Sequence, residues 1–148
     1  MSMELRPFGD SDYDLLRALE EQEDVWENVG PLLLPQPGNH LFAIVESGTA
    51  IGVGGLVRSP VLQGKDYELV CALFSEAQLR GLALKACQLL LEWAFTSAKI
   101  ERVISSIDNQ NEGARSIAVK LGMRELPSNI PGRTLYAKDR FPRSASRR

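Results

Sequence analysis

Val70-Cys71-Ala72-Leu73-Phe74-Ser75-Glu76-Ala77-Gln78-Leu79-Arg80-Gly81-Leu82-Ala83-Leu84 is the run that decides the fold. It opens as an apolar, β-favouring strand, breaks at Phe74-Ser75-Glu76, and restarts as a helix carrying apolar residues to Phe95. Gln78, Gly81 and Ala83 stand at the restart, with small residues where the helix begins. The first turn of a helix has unpaired backbone N–H groups and the positive end of the macrodipole. Gly81 and Ala83 let an anionic group come close to that backbone.

Outward from this run the pattern is regular. The helix expected over 79–98 places Lys85, Gln88, Glu92, Thr96 and Lys99 on one polar stripe. Leu82, Ala86, Leu89, Leu90 and Trp93 lie opposite, so one side packs on a sheet and the other meets water. Upstream, 66–73 is the strand entering the loop. Two further strands, 40–46 and 50–57, flank Ser47-Gly48-Thr49, a hairpin signal. Gly52, Gly54 and Gly55 inside the second of these predict a bulge or a close approach. The stretch 4–8 reads as an edge strand that tolerates Pro7, and Asp10 or Ser11 caps a helix with an apolar stripe of Leu15, Leu16 and Leu19.

The run Glu20-Glu21-Gln22-Glu23-Asp24 reads as a solvated face, and 25–29 as a further helical turn. Gly30-Pro31 and Pro35-Gln36-Pro37-Gly38 mark an irregular connection. Trp26 and Leu32 to Leu34 in that segment either cap the core or shape a pocket. A loop covers 59–64. Downstream, a strand over 102–107, a helix from Asn111 or Glu112 to Lys120, and strands near 123–127 and 133–139 follow. The fold class is α/β, mixed with α+β: a twisted, mostly antiparallel sheet of six to seven strands with about four helices.

Bulk properties narrow the function. The chain has 148 residues, 44% hydrophobic and 24% charged, which is ordinary for one globular domain, expected over 1–140 with a basic, disordered tail at 141–148. A net charge of −2 gives no overall basic field for nucleic acid. Cys71 and Cys87 form no CxxC pair and His40 is the sole histidine, so neither a disulfide framework nor a metal site is expected. No apolar run approaches the ~18 residues that span a bilayer, and Met1-Ser2-Met3-Glu4 begins no apolar signal core, so a cytoplasmic protein without membrane partner is expected.

The loop, its flanking strand and helix, and the later segment Asn111, Ala114, Lys120-Leu121-Gly122-Met123 together resemble the GNAT N-acetyltransferases. Tyr67-Glu68-Leu69 ahead of the loop is most similar to the RimJ/RimL branch. The likeness covers roughly 40–127. It implies the GNAT fold, acetyl-CoA as acetyl donor, no metal, and direct transfer to a primary amine in a ternary complex. The amine is a protein N-terminus or a small molecule, and a homodimer is a further partner to test.

The same resemblance implies roles residue by residue. Gln78, Leu79, Arg80, Gly81, Leu82 and Ala83 would hold the pyrophosphate, with Arg80 either adding a charge-assisted contact or facing solvent. Pantetheine carries amides spaced like a peptide and would pair with the edge of Val70, Cys71, Ala72 and Leu73, whose N–H groups near Leu73 would polarise the thioester. Asn111 would reach the CoA arm while also capping the next helix. Glu68 is the candidate general base, or else a partner for an arginine. The tyrosine that relatives use as general acid is Ala118 here, and the serine one turn earlier is Ala114. Ser116 is turned about 200° from Ala114 on a helix and cannot substitute. Tyr136, Ser105 or water remain as proton sources, and a non-catalytic acyl-CoA-binding module is the alternative reading. His40 at a strand start reads as structural.

Overall fold

The computed structural model describes residues 2–23, 35–58 and 66–141. Trp26, Leu32 to Leu34, the expected helical turn at 25–29, the loop 59–64 and the tail from 142 lie outside them. In chain order the elements are β1 (Met3–Pro7), a 3-10 turn (Asp10–Asp12), α1 (Tyr13–Glu20), β2 (His40–Glu46), β3 (Thr49–Val57), β4 (Tyr67–Leu73), α2 (Ser75–Leu79), α3 (Ala83–Thr96), β5 (Arg102–Asp108), α4 (Glu112–Lys120), β6 (Arg124–Leu126) and β7 (Arg133–Asp139). The strands make one sheet in the order β1-β2-β3-β4-β5-β7-β6. All neighbours run antiparallel except β4 and β5, which are parallel.

This is the mixed, mostly antiparallel architecture read from the sequence, with seven strands and, among the described residues, four helices. Ser47 (φ 48°) and Gly48 (φ 84°) make the two-residue turn between β2 and β3, with the double positive φ that matches strand twist. β1 is an edge strand, where Pro7 loses no ladder bond that an interior strand would need.

Each face of the sheet carries its own core. On one face α3 buries Cys87, Leu90, Leu91 and Ala94 against Phe42, Leu56, Leu69 and Val103, and Ala86 against Ile44, Ile51 and Leu73. Burying one such leucine contributes about 1.5–3 kcal/mol. The close approach expected at the β3 glycines is real: a Cβ on Gly54 would sit 2.8 Å from Leu90 Cδ1, and one on Gly52 only 2.2 Å from the Ala72 carbonyl oxygen. On the other face α1 sets Leu16 and Leu19 against Val53, Val57, Val70 and Ala72.

Two local expectations are corrected. Neither Asp10 nor Ser11 caps α1. The buried Asp12 does the turn's work, accepting from the Gly9 N–H at 2.9 Å and from Arg6 Nη2 at 2.6 Å. The long helix expected from Leu79 is split, because Ser75–Leu79 forms a separate short helix and Gly81, at φ +72°, turns the chain before α3 starts at Ala83. A left-handed residue cannot continue a right-handed helix, so the apolar periodicity spans two helices. The polar stripe of Lys85, Gln88, Glu92, Thr96 and Lys99 is exposed as expected.

Candidate active site

The site begins where the sheet fails to stay closed. β4 and β5 pair at only two positions, Tyr67 with Val103 and Glu68 with Ile104. The closed end is held by Arg102, which forks onto Asp66 with Nε–Oδ1 at 3.0 Å and Nη2–Oδ2 at 2.5 Å. Beyond Glu68 the strands part, because β3 and β7 hold their outer edges. A slot opens between them, and its walls run from Glu68 past Val70 and Cys71 to Ala83 at the head of α3, with Ser105 to Asp108 and Asn111 opposite.

Backbone alternation says which groups of β4 face this slot. The Phe74 N–H bonds Ile51 O at 3.0 Å and the Ala72 carbonyl is turned toward Gly52, so residues 70, 72 and 74 direct their main chain to β3. Leu69, Cys71 and Leu73 therefore direct theirs to the open edge. Gln78 Nε2 donates to Leu73 O at 2.8 Å, which closes off that carbonyl and pins the loop to the strand end. An extended, amide-bearing ligand laid along this edge finds N–H and C=O groups at the repeat of a missing strand.

At the far end lies the start of α3. Ala86 N–H donates to Leu82 O at 3.1 Å, and the N–H groups of Ala83, Leu84 and Lys85 ahead of it are the open donors of a helix start. Chain neighbours aside, no described atom comes within 4 Å of a Cβ built on Gly81, so the turn ahead of those donors faces open space on that side. Of the other loop residues, Leu79 is 90% exposed, Leu82 is buried beneath α3, and Arg80 is turned away onto the buried Glu46, with Nη1–Oε1 at 2.7 Å and Nη2–Oε2 at 2.9 Å. Asn111 lines the slot and caps α4, its Oδ1 accepting from Ala114 N at 3.1 Å. The sequence-predicted residues thus divide: Glu68, Val70, Cys71, Ala83 and Asn111 line the slot, whereas Ala72, Leu73, Gln78, Leu79, Arg80, Gly81 and Leu82, in the end of β4 and the segment ahead of α3, do not.

The slot passes through the sheet, so its two faces differ. Toward α3 and α4 lie Cys71, Cys87, Ser105 and Ala118. Contact with the Cys87 thiol, followed by burial, holds the Cys71 thiol well above its ordinary range, so it is a poor nucleophile at neutral pH. Ser105 is a buried residue that lines the slot on this face. Tyr136 is not in the slot. It is buried, and its hydroxyl accepts from Arg115 Nε at 3.5 Å. His40 packs against Trp93 and Tyr67, with ring centroids 5.1 and 5.6 Å away, the structural role its position suggests.

Toward α1 lies Glu68, 4% exposed. Burial raises its pKa above the usual carboxylate range, opposed by a Ser106 N–H bond at 3.4 Å and by the charge of Arg133. Arg133 donates from Nε to Ser106 Oγ at 2.9 Å and from Nη2 to Ser106 O at 2.7 Å. Sequence reasoning found Glu68 but missed Ser106, Arg133 and Cys87. Cys87 was within reach, four residues after Ala83 on one helix face. Arg133 was not, because only the β5–β7 register brings it beside β5.

Among the described residues no group of three or more His, Cys, Asp or Glu side chains could hold a metal ion, and no helix is long and apolar enough to cross a membrane. The family model for the acetyltransferase (GNAT) domain matches residues 2–124. No curated protein matches. Among solved structures, an acetyltransferase from Agrobacterium tumefaciens str. C58 is similar at 24% identity and a TM-score of 0.73, over 92% of this chain and 90% of that one. The spermidine N-acetyltransferase from Vibrio cholerae in complex with CoA and spermine is similar at 13% identity and a TM-score of 0.73, over 91% and 92%. A dodecameric form of the same Vibrio cholerae enzyme matches at 14% identity and a TM-score of 0.71, over 93% and 94%.

Proposed function

Because the chain belongs to the GNAT acetyltransferase family, we propose that it transfers the acetyl group of acetyl-CoA to a primary amine by direct attack in a ternary complex. The observation that carries this is the early parting of β4 from β5, which joins Glu68 to the head of α3 by one continuous slot. The pyrophosphate takes the open N–H groups of Ala83, Leu84 and Lys85 at the head of α3. The pantetheine arm lies along the open edge of Cys71 and Leu73, and Asn111 meets it from α4. The thioester then rests near the closed end of the slot.

The amine enters from the α1 face. Its nitrogen attacks the thioester carbonyl while Glu68 takes the amine proton, a base whose raised pKa brings it nearer the working pH. A β4 N–H on the open edge stabilises the oxyanion. The C–S bond breaks and the CoA thiolate leaves. Ala118 offers no hydroxyl, so the thiolate is protonated by water, with Ser105 the hydroxyl lining the slot on that face.

The acceptor is a small amine or a protein N-terminus. The CoA and spermine bound by the Vibrio cholerae neighbour favour the small amine. The dodecameric neighbour supports self-association, to be read by light scattering. A single domain over 1–140, acting in the cytoplasm, completes the proposal. The test is release of free thiol from acetyl-CoA across a panel of polyamines, monoamines and N-terminal peptides. Turnover on any of them supports transfer. Tight CoA binding without turnover on all of them would leave a non-catalytic acyl-CoA-binding module, the reading that Ala118 favours.

A further inference from the structure

Glu68 is not isolated in its wall, and the groups behind it form a chain. Arg133, the first residue of β7, grips Ser106 twice, through its hydroxyl at 2.9 Å and its carbonyl at 2.7 Å. Ser106 in turn directs its N–H at Glu68 Oε2, 3.4 Å away. The β5–β7 register makes this possible: Arg133 stands opposite Asp108, on the same sheet face as Ser106 two residues earlier. The parallel pairing of Glu68 with Ile104 puts the carboxylate on that face too. The gripped carbonyl belongs to the peptide after the one that carries the Ser106 N–H, so holding it together with the hydroxyl restrains the φ and ψ rotations of Ser106 that would carry that N–H off the carboxylate.

We propose that Arg133 and Ser106 are positioning residues for Glu68, with Arg133 holding the Ser106 N–H on the carboxylate and supplying the positive charge that keeps it ionisable in a buried site. This rests on the acetyl-transfer reading, in which Glu68 takes the amine proton. The other groups around Glu68 do not duplicate the role. β3 presents Val57 opposite it, and α1 presents Leu16 and Leu19 to that face. The titratable groups sharing the slot are Cys71 and Cys87 on the far face and Asp108 at the open end, where its Oδ1 accepts from Gln110 N at 2.9 Å. Asp66 and Arg102 at the closed end are committed to each other. Among the described residues that line the slot, Arg133 is therefore the cation, and it also sets a bias: an acceptor must bring its amine to Glu68 past a guanidinium.

The sign follows directly. A nearby positive charge favours the carboxylate, so removing it moves the Glu68 titration to higher pH. The experiment uses the full chain with 13C-labelled glutamate, assigning the Glu68 carboxyl by its loss in Glu68→Gln, and follows its titration in the wild type, Arg133→Gln and Arg133→Lys. An upward displacement in Arg133→Gln, with Arg133→Lys remaining close to the wild type, supports the charge. An upward displacement in both assigns the effect to the two-point grip on Ser106. A midpoint unmoved in Arg133→Gln, in a protein that still melts cooperatively, overturns the inference. The acidic limb of kcat/KM with the amine found in the screen separates the two readings. If that limb survives in Glu68→Gln, the base assignment fails, while the NMR midpoints still judge Arg133.

Discussion

Glu68→Gln should make the protein more stable while disabling it. The carboxyl is 4% exposed, and burial outweighs both the Ser106 N–H bond and the Arg133 charge, because the net displacement of its pKa is upward. A group whose folded pKa exceeds its unfolded value binds its proton more readily in the native state. Folding stability therefore falls as pH climbs from the unfolded value, near 4.5, through the raised folded one. Each pH unit between the two is worth about 1.4 kcal/mol at neutral pH. Glutamine has nearly the same shape, carries no charge to desolvate, and keeps an oxygen for the Ser106 N–H. Its stability relative to the wild type should thus grow from pH 4 upward and level off above the folded pKa. Losing a general base costs about 10²- to 10⁴-fold in kcat, or roughly 3–5 kcal/mol of barrier. Urea unfolding of both proteins at half-unit steps from pH 4 to 8, beside kcat at pH 7, measures both effects. A stability difference that stays flat across that range, or a mutant within threefold of wild-type kcat, would refute the reasoning.

Other perturbations follow from the same fold. Gly52→Ala puts a methyl 2.2 Å from a backbone oxygen that has no rotamer to yield, so about 2–3 kcal/mol of stability should be lost in thermal unfolding. Gly81→Val meets open space but keeps φ near +72°, so it should cost about 1–2 kcal/mol in strain and weaken CoA binding in calorimetry, as the side chain covers the head of α3. Asn111→Ala removes the oxygen that accepts from Ala114 N, which should cost about 1 kcal/mol in urea unfolding and also lower CoA affinity. Asn111→Asp would restore the cap, so any affinity still missing measures the contact with ligand.

What is legible in the sequence alone is local. The 40–46 and 50–57 strands around Ser47-Gly48 were legible because alternation and turn chemistry are short-range. Asn111 was legible as a cap for the same reason. The break at Gly81 was hidden because apolar periodicity runs on through it, and a single left-handed residue leaves no trace in that period. Arg80 is exposed, as one of its two readings has it, but its ion pair with Glu46 could not be read, because that partner lies 34 residues earlier on β2. Arg133 and Ser106 lay beyond reach altogether. Their meeting depends on the register between two strands separated by α4 and β6, which no window of sequence contains.

The two residue pairs joining β4 to β5 have a mechanical consequence. They divide the sheet into a four-stranded block, β1 to β4, and a three-stranded block of β5, β7 and β6, with a seam between them. Amides on either side of such a seam can exchange with deuterium by opening one block without unfolding the other. A ligand laid in the slot is a temporary eighth strand that stitches the halves together. At a hundred times its Kd it adds about 2.7 kcal/mol to the folded state, and that protection should appear on both sides of the seam at once. On the proposed reading, binding of CoA would in that sense complete the folding of the sheet.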